Sequence, residues 1–238
     1  MTIRFRRSFA LALLLVATLT FSAQAHFVWV AISDDGSTAS LYFGEGPFPS
    51  EAALLGHVAQ SEAFARTADG KYVPLKLEKK IEEDGDGSWS VTQDGSPWQG
   101  MEAVCDYGVL AKGDAPFWLK YYGKHADAST LKNKTLCESE KLALDIVPSK
   151  TDEGIQLKAL FHGKPVEGCE FVIYDDTADP QERTTDAQGN VLLKDLKPVI
   201  YSVRAKWVEE KSGEHDGKKY DSIRHYSTVS LNLTADDQ

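Results

Sequence analysis

The feature that most constrains this chain is a period of two in its hydrophobic pattern, cut at short intervals by turn residues. Between residues 199 and 207, Tyr201, Val203, Ala205 and Trp207 fall on one face, with Ser202, Arg204 and Lys206 between them. Successive side chains of a strand point to opposite faces, so this run gathers an apolar face as a strand and scatters it as a helix. The alternation returns at 155–161 and in the closing run that carries Val229, Leu231 and Leu233. Gly163-Lys164-Pro165-Val166-Glu167-Gly168 and Thr185-Asp186-Ala187-Gln188-Gly189 supply turns. Short strands at this spacing predict an antiparallel sandwich.

The first half reads similarly. An apolar run at 26–32 ends at Ser33-Asp34-Asp35-Gly36, and a second at 39–43 stops at Gly44-Glu45-Gly46-Pro47. Further short strands are predicted at 73–77, 88–92, 103–109 and 117–122. One helix is predicted over 51–65: Ser50 can cap it, Glu51 suits its dipole, and Leu54, Leu55, Val58 and Phe64 have near-helical spacing. The polar stretch 148–153 is taken as a domain boundary. The expectation is therefore an all-β chain of two sandwich-like domains (immunoglobulin- or transthyretin-like), 26–148 and 149–238, with one short helix in the first.

Residues 1–25 read as a secretory signal peptide. Arg4, Arg6 and Arg7 make a positive start, an apolar run follows from Phe9 to Phe21, and Ala23-Gln24-Ala25 offers a cleavage site. The apolar run is too short for a membrane span, and no later stretch is long enough for one. The chain is expected to be exported, to the periplasm of a two-membrane cell. Cleavage after Ala25 would put His26 at the amino terminus, where its α-amine and imidazole can chelate one metal ion. Copper, nickel and zinc favour such nitrogen donors.

The formal charge of −10 becomes −13 without residues 1–25, with 23 basic against 36 acidic residues. Such a surface repels nucleic-acid phosphates and anionic lipid, so neither is an expected partner. Three cysteines are present: Cys105, Cys137 and Cys169. In an oxidising compartment Cys105 and Cys137 are expected to pair, closing a loop of about thirty residues worth roughly 3–4 kcal/mol. Cys169 is expected as a buried free thiol.

The turn at 163–168, the turn at 185–189 and the tyrosine-bearing strand that follows resemble the carboxypeptidase-regulatory or transthyretin-like sandwich. Ala25-His26-Phe27-Val28-Trp29-Val30, Tyr42-Phe43-Gly44-Glu45 and Arg224-His225-Tyr226-Ser227-Thr228 resemble a bacterial domain-of-unknown-function family. Members of that family are described as periplasmic components of nickel or cobalt transport. The resemblance implies capture or delivery of a divalent metal, nickel, cobalt or copper, with His26 as amino-terminal ligand and a metal-transport membrane complex as partner.

Further ligands are expected from His225, which opens the last strand beside Tyr226, from Glu45 in its tight turn, and from His125. His57, on the predicted helix, and His162 and His215, in loops, are read as solvated. No H-x-H or H-x-x-x-H spacing is present. Asp84-Gly85-Asp86-Gly87 lacks the remaining ligands of a calcium loop and is read as a turn. There is no Gly-x-Ser-x-Gly elbow, phosphate-binding glycine loop or dinucleotide fingerprint, so the chain is not expected to be an enzyme. Two alternatives stand beside the metal reading. One is a copper-dependent oxygenase with an amino-terminal histidine brace, for which His225 and Tyr226 would complete the set. The other is a non-catalytic envelope interaction module.

Overall fold

The alternating runs assemble into one eight-stranded sheet that serves two smaller sheets, one on each face. The computed structural model describes residues 26–111, 115–177 and 179–234; the predicted leader, 1–25, lies outside them. Across the large sheet the order is Gln181–Thr184, Glu170–Tyr174, Ile200–Glu209, Ser222–Asn232, Phe117–Asp127, Gly100–Leu110, Glu62–Arg66 and Tyr72–Leu75. All neighbours are antiparallel except Ser222–Asn232 and Phe117–Asp127, which run parallel with Tyr226 opposite Tyr121. The fold is all-β and sandwich-like, as the pattern predicted.

Alternation on Phe117–Asp127 explains how one sheet feeds two cores. Leu119 and Tyr121 join a core with Val28, Trp29, Leu41, Ala63, Met101 and Cys105. Tyr122 and Ala126, on the opposite face, join Leu144, Ile146, Leu157, Phe171, Val203 and Val229. The first core is closed by the five-stranded sheet of Phe27–Ile32, Thr38–Gly44, Asp86–Thr92, Ser50–Glu51 and Glu78–Ile81. The second is closed by Leu144–Thr151, Gly154–Phe161, Lys164–Pro165 and Asn190–Leu193. The polar stretch at 148–153 forms the end of one strand and the turn of a hairpin, with Pro148 opposite Leu157 and Thr151 opposite Gly154. Strands from both sides of it share the large sheet.

The helix predicted over 51–65 does not form. A 3-10 turn, Leu54–Val58, buries Leu55 and Val58, and the chain then extends as Glu62–Arg66. Gly56 weakens a helix here. Ala63 and Ala65, two apart, are buried while their backbone pairs with Gly100–Leu110, so strand pairing outweighs the helical spacing of the larger side chains.

The strand Phe27–Ile32 is an edge strand whose outward carbonyls are nonetheless occupied. Thr228 donates its hydroxyl to the Val28 carbonyl at 2.6 Å, and Ser230 donates to that of Val30 at 2.7 Å. Gly123 lies beneath; a Cβ there would come within 3.3 Å of Val30 Cγ1. Glycine therefore lets the edge strand lie close on the sheet and sets the position of His26 just before it.

Two buried ion pairs tie the loop at 130–142 to the sheet. Lys124 donates to Asp145 and to the carbonyls of Cys137 (2.5 Å) and Ile146 (3.3 Å), which uses all three ammonium protons. Asp145 also accepts from Ser139 N at 2.8 Å, and Ser139 donates its hydroxyl to Glu102 at 2.5 Å. Arg66 in turn donates to Glu102 at 2.6 Å and to the Thr135 carbonyl at 2.5 Å.

Candidate functional site

His26 lines a cleft of about 310 Å³. Its walls include Phe27, Phe43, Tyr107, Tyr121 and Tyr226, and Arg224 closes one side. Tyr121 donates its hydroxyl to the His26 carbonyl at 3.1 Å, which ties down the backbone there. The His26 ring lies 5.7 Å from that of Phe43, centre to centre. Burial raises the pKa of Tyr107 and, further, of Tyr121, so both phenols stay protonated at neutral pH.

The second imidazole of the cleft is His57. It sits in the 3-10 turn, its ring centre 6.5 Å from that of Phe43, and stacks on Tyr107 at 6.1 Å and 29°. The sequence predicts His57 on a helix with a solvated side chain; the structure instead lines the cleft with it. Its place on the cleft that His26 also lines follows from the turn that replaces the helix, and neither spacing nor composition signals it. Two imidazoles on one cleft suit a borderline metal such as nickel, cobalt or copper. Among the described residues no carboxylate lines the cleft, and no group of three or more His, Cys, Asp or Glu is arranged to hold a metal.

The other expected ligands are not brought to His26. His225 precedes Tyr226 on one strand and therefore faces the opposite side of the sheet, where it is buried. There Nδ1 lies 3.0 Å from the Tyr122 hydroxyl and Nε2 lies 3.5 Å from Glu209. Burial lowers its pKa to about 4, against the raising influence of Glu209. His125 shares the His26 face but stands four residues beyond Tyr121, about 13 Å along the strand. It lines a different cavity, with Asp34, Asp127 and Trp98, and burial holds its pKa down to about 4. Glu45 follows Gly44, the partner of Phe27, so it continues the register near His26; its side chain is exposed and does not line the cleft.

The expected Cys105–Cys137 disulfide is not formed. Both thiols are free and buried, and so is Cys169. The physical reason is the shared sheet: Cys105 belongs to the core on one face and Cys137 to the core on the other. Burial pushes the Cys105 thiol up to about 11 and that of Cys169 up to about 12.

A β-sandwich protein with an aromatic, histidine-bearing cleft is the class these elements define. The chain belongs to the family described as Domain of unknown function (DUF4198), which matches residues 23–209. No curated protein matches the sequence. Among solved structures, a chain of "Cytokine receptor complex - Crystal form 1A" is similar at 13% identity and a TM-score of 0.26, over 88% of this chain and 98% of that one. A likeness of that degree carries no argument. No helix among the described residues is long and apolar enough to cross a membrane.

Proposed function

We propose that this is an exported metal-binding protein that captures a divalent transition metal, nickel, cobalt or copper, at the His26 cleft. In this reading it is an accessory or substrate-binding component of nickel or cobalt uptake and passes its cargo to a membrane transport complex. The observation that carries the reading is that His26 and His57, 31 positions apart in sequence, both line one cleft. Removal of residues 1–25 would add the α-amine of His26 as a third nitrogen. Neutral imidazole and amine nitrogens select borderline metals over calcium and magnesium, which prefer oxygen. The aromatic walls would hold the ligands in place and limit competition from water.

The test is calorimetric titration of nickel, cobalt and copper into protein whose first residue is His26, beside a form with one Ala added before it. The reading predicts one-to-one binding, weakened at least tenfold by the extension. Equal binding by both forms refutes it. A copper oxygenase is the second reading, favoured by the two imidazoles with Tyr107, Tyr121 and Tyr226 around them. It requires peroxide or oxidised glycan from the copper-loaded protein under reductant, and the absence of both refutes it.

A further inference from the structure

A second cavity, of about 460 Å³, shares no lining residue with the His26 cleft. Four segments build it. The edge strand Phe27–Ile32 ends in the loop that carries Asp34, and Pro97 and Trp98 close on that loop, with the Trp98 N–H bonded to the Gly36 carbonyl at 3.0 Å. The strand Phe117–Asp127 brings His125 and Asp127, which are two apart and therefore share a face, about 7 Å from each other along the strand. Asn232 stands opposite Asp127 in the parallel register, and its amide reaches the Asp34 carboxylate at 3.5 Å.

The charge of this cavity is one-sided. Asp34, Asp35 and Asp127 line it, and among the described residues no Lys or Arg does. Asp35 is occupied by Ser33 and Ser37. Asp127 gives Oδ1 to Ser129 and to the Thr130 N–H and keeps Oδ2, while Asp34 has only the long contact from Asn232. Neither of these two is ion-paired among the described residues. His125 is an independent sign of a missing partner. Its ring is 7% exposed and lines the cavity, and its Nδ1 is buried without a hydrogen-bond partner, a state that native structures rarely leave unanswered. Burial keeps this imidazole uncharged, with its pKa at about 4, although Asp127 and Asp34 both act to raise it. One ring nitrogen is therefore an acceptor at neutral pH. Ile32, Pro97 and Trp98 supply an apolar wall.

We propose that this cavity binds a primary ammonium on a short alkyl chain, its N–H groups held by Asp34, Asp127 and His125 and its methylenes against Ile32, Pro97 and Trp98. An ammonium has three donors and no acceptor, which matches two carboxylates and a neutral imidazole with no competing cation. A metal ion needs ligands closed to about 2.0–2.6 Å, and no group of three or more His, Cys, Asp or Glu among the described residues is arranged for that. Charge-assisted N–H bonds of about 2.7–2.9 Å suit a more open set. The indole of Trp98 adds attraction for a cation, and the volume is that of a small-molecule site. This site does not rest on the metal reading of the His26 cleft.

The experiment titrates butylammonium, butanol, tetramethylammonium and calcium separately into protein beginning at His26, by calorimetry at neutral pH. Salt at about 0.15 M screens attraction to the acidic surface as a whole. The proposal predicts one-to-one binding of butylammonium and weaker binding of the other three. Asp34→Asn and Asp127→Asn should each weaken it about tenfold or more, the loss of one charged hydrogen bond. Asparagine keeps the oxygen that Ser129 and Thr130 use, so thermal unfolding should not change. Asp84→Asn removes the same charge from an exposed turn and should leave binding unaltered. The His125 imidazole nitrogen signals should move on binding, and those of His225 should not. Absence of binding at millimolar butylammonium overturns the proposal, as does an equal loss in Asp84→Asn, which would mean diffuse charge. Butanol bound as tightly would reduce the site to an apolar pocket, and tetramethylammonium bound as tightly would remove the role of the N–H donors. Calcium that binds more tightly and displaces the amine would make this an inorganic cation site and also overturns it.

Discussion

Replacing Lys124 by Met should be among the most damaging single changes outside the apolar cores. The ammonium is 1% exposed and its partner Asp145 2% exposed, so neither charge can turn to water. Methionine fills similar volume but removes a donor that serves Asp145 and the carbonyls of Cys137 and Ile146. Asp145 keeps only the Ser139 N–H. Breaking a buried pair on one side costs about 3–5 kcal/mol, far above the roughly 0–1 kcal/mol of an exposed pair. At about 2–4 °C per kcal/mol for a chain of this size, Tm should fall by about 6–20 °C. The loss should also depend on pH in a known direction. Burial already raises the Asp145 pKa from 3.8, opposed by Lys124, and removing the ammonium raises it further. A carboxyl raised in the folded state is stabilising below its unfolded pKa and loses that contribution as pH rises through the folded value. The deficit of Lys124→Met should therefore be smallest near pH 4 and grow towards neutrality. Denaturant unfolding at pH 4 and pH 7 measures both quantities. A loss within about 1 kcal/mol of wild type at pH 7 would refute the reasoning, and the double variant Lys124→Met/Asp145→Leu should recover most of the stability.

Further outcomes follow from the same geometry. All three cysteines should react with a thiol reagent after denaturation without reductant and resist it in the native state; one reactive thiol would mean that a disulfide had formed. His125 and His225 are both held near pKa 4 from 6.5. A base depressed in the folded state contributes stability above its unfolded pKa, and that contribution is lost as pH falls from about 6.5 through 4. At about 1.4 kcal/mol per unit the pair contributes several kcal/mol, so His125→Gln, which cannot ionise, should flatten the acid limb of the unfolding curve; an unchanged limb contradicts this. His57→Ala should weaken nickel or copper binding at least tenfold, whereas His225→Ala, on the other face of the sheet, should leave it unchanged and lower Tm.

The extent to which this fold was legible in the sequence depends on what each side chain meets. Tyr201, Val203 and Ala205 betray their strand because one face is buried against a core and the other is not. Glu62–Arg66 does not, because its buried residues are two alanines and an ion-paired arginine, and Phe64 falls in helical spacing with Leu54, Leu55 and Val58. The boundary at 148–153 was suggested by polarity that a hairpin turn explains equally well. For the site, His26 was legible through its neighbours and His57 was not. Its place on the cleft depends on the 3-10 turn and on its ring packing against Phe43 and Tyr107, from distant segments. His225 illustrates the reverse case: adjacency to Tyr226 suggested a ligand, and strand alternation sends the two side chains into different cores.

The most direct test of the account is the position of the metal itself. A crystal of protein beginning at His26, loaded with nickel or copper, can be measured at that metal's absorption edge. The account predicts one anomalous peak in the cleft, with ring nitrogens of both His26 and His57 at about 2.0–2.2 Å, the usual range for imidazole on a divalent metal. A peak beside His225 and Glu209, or only among exposed carboxylates, would contradict it.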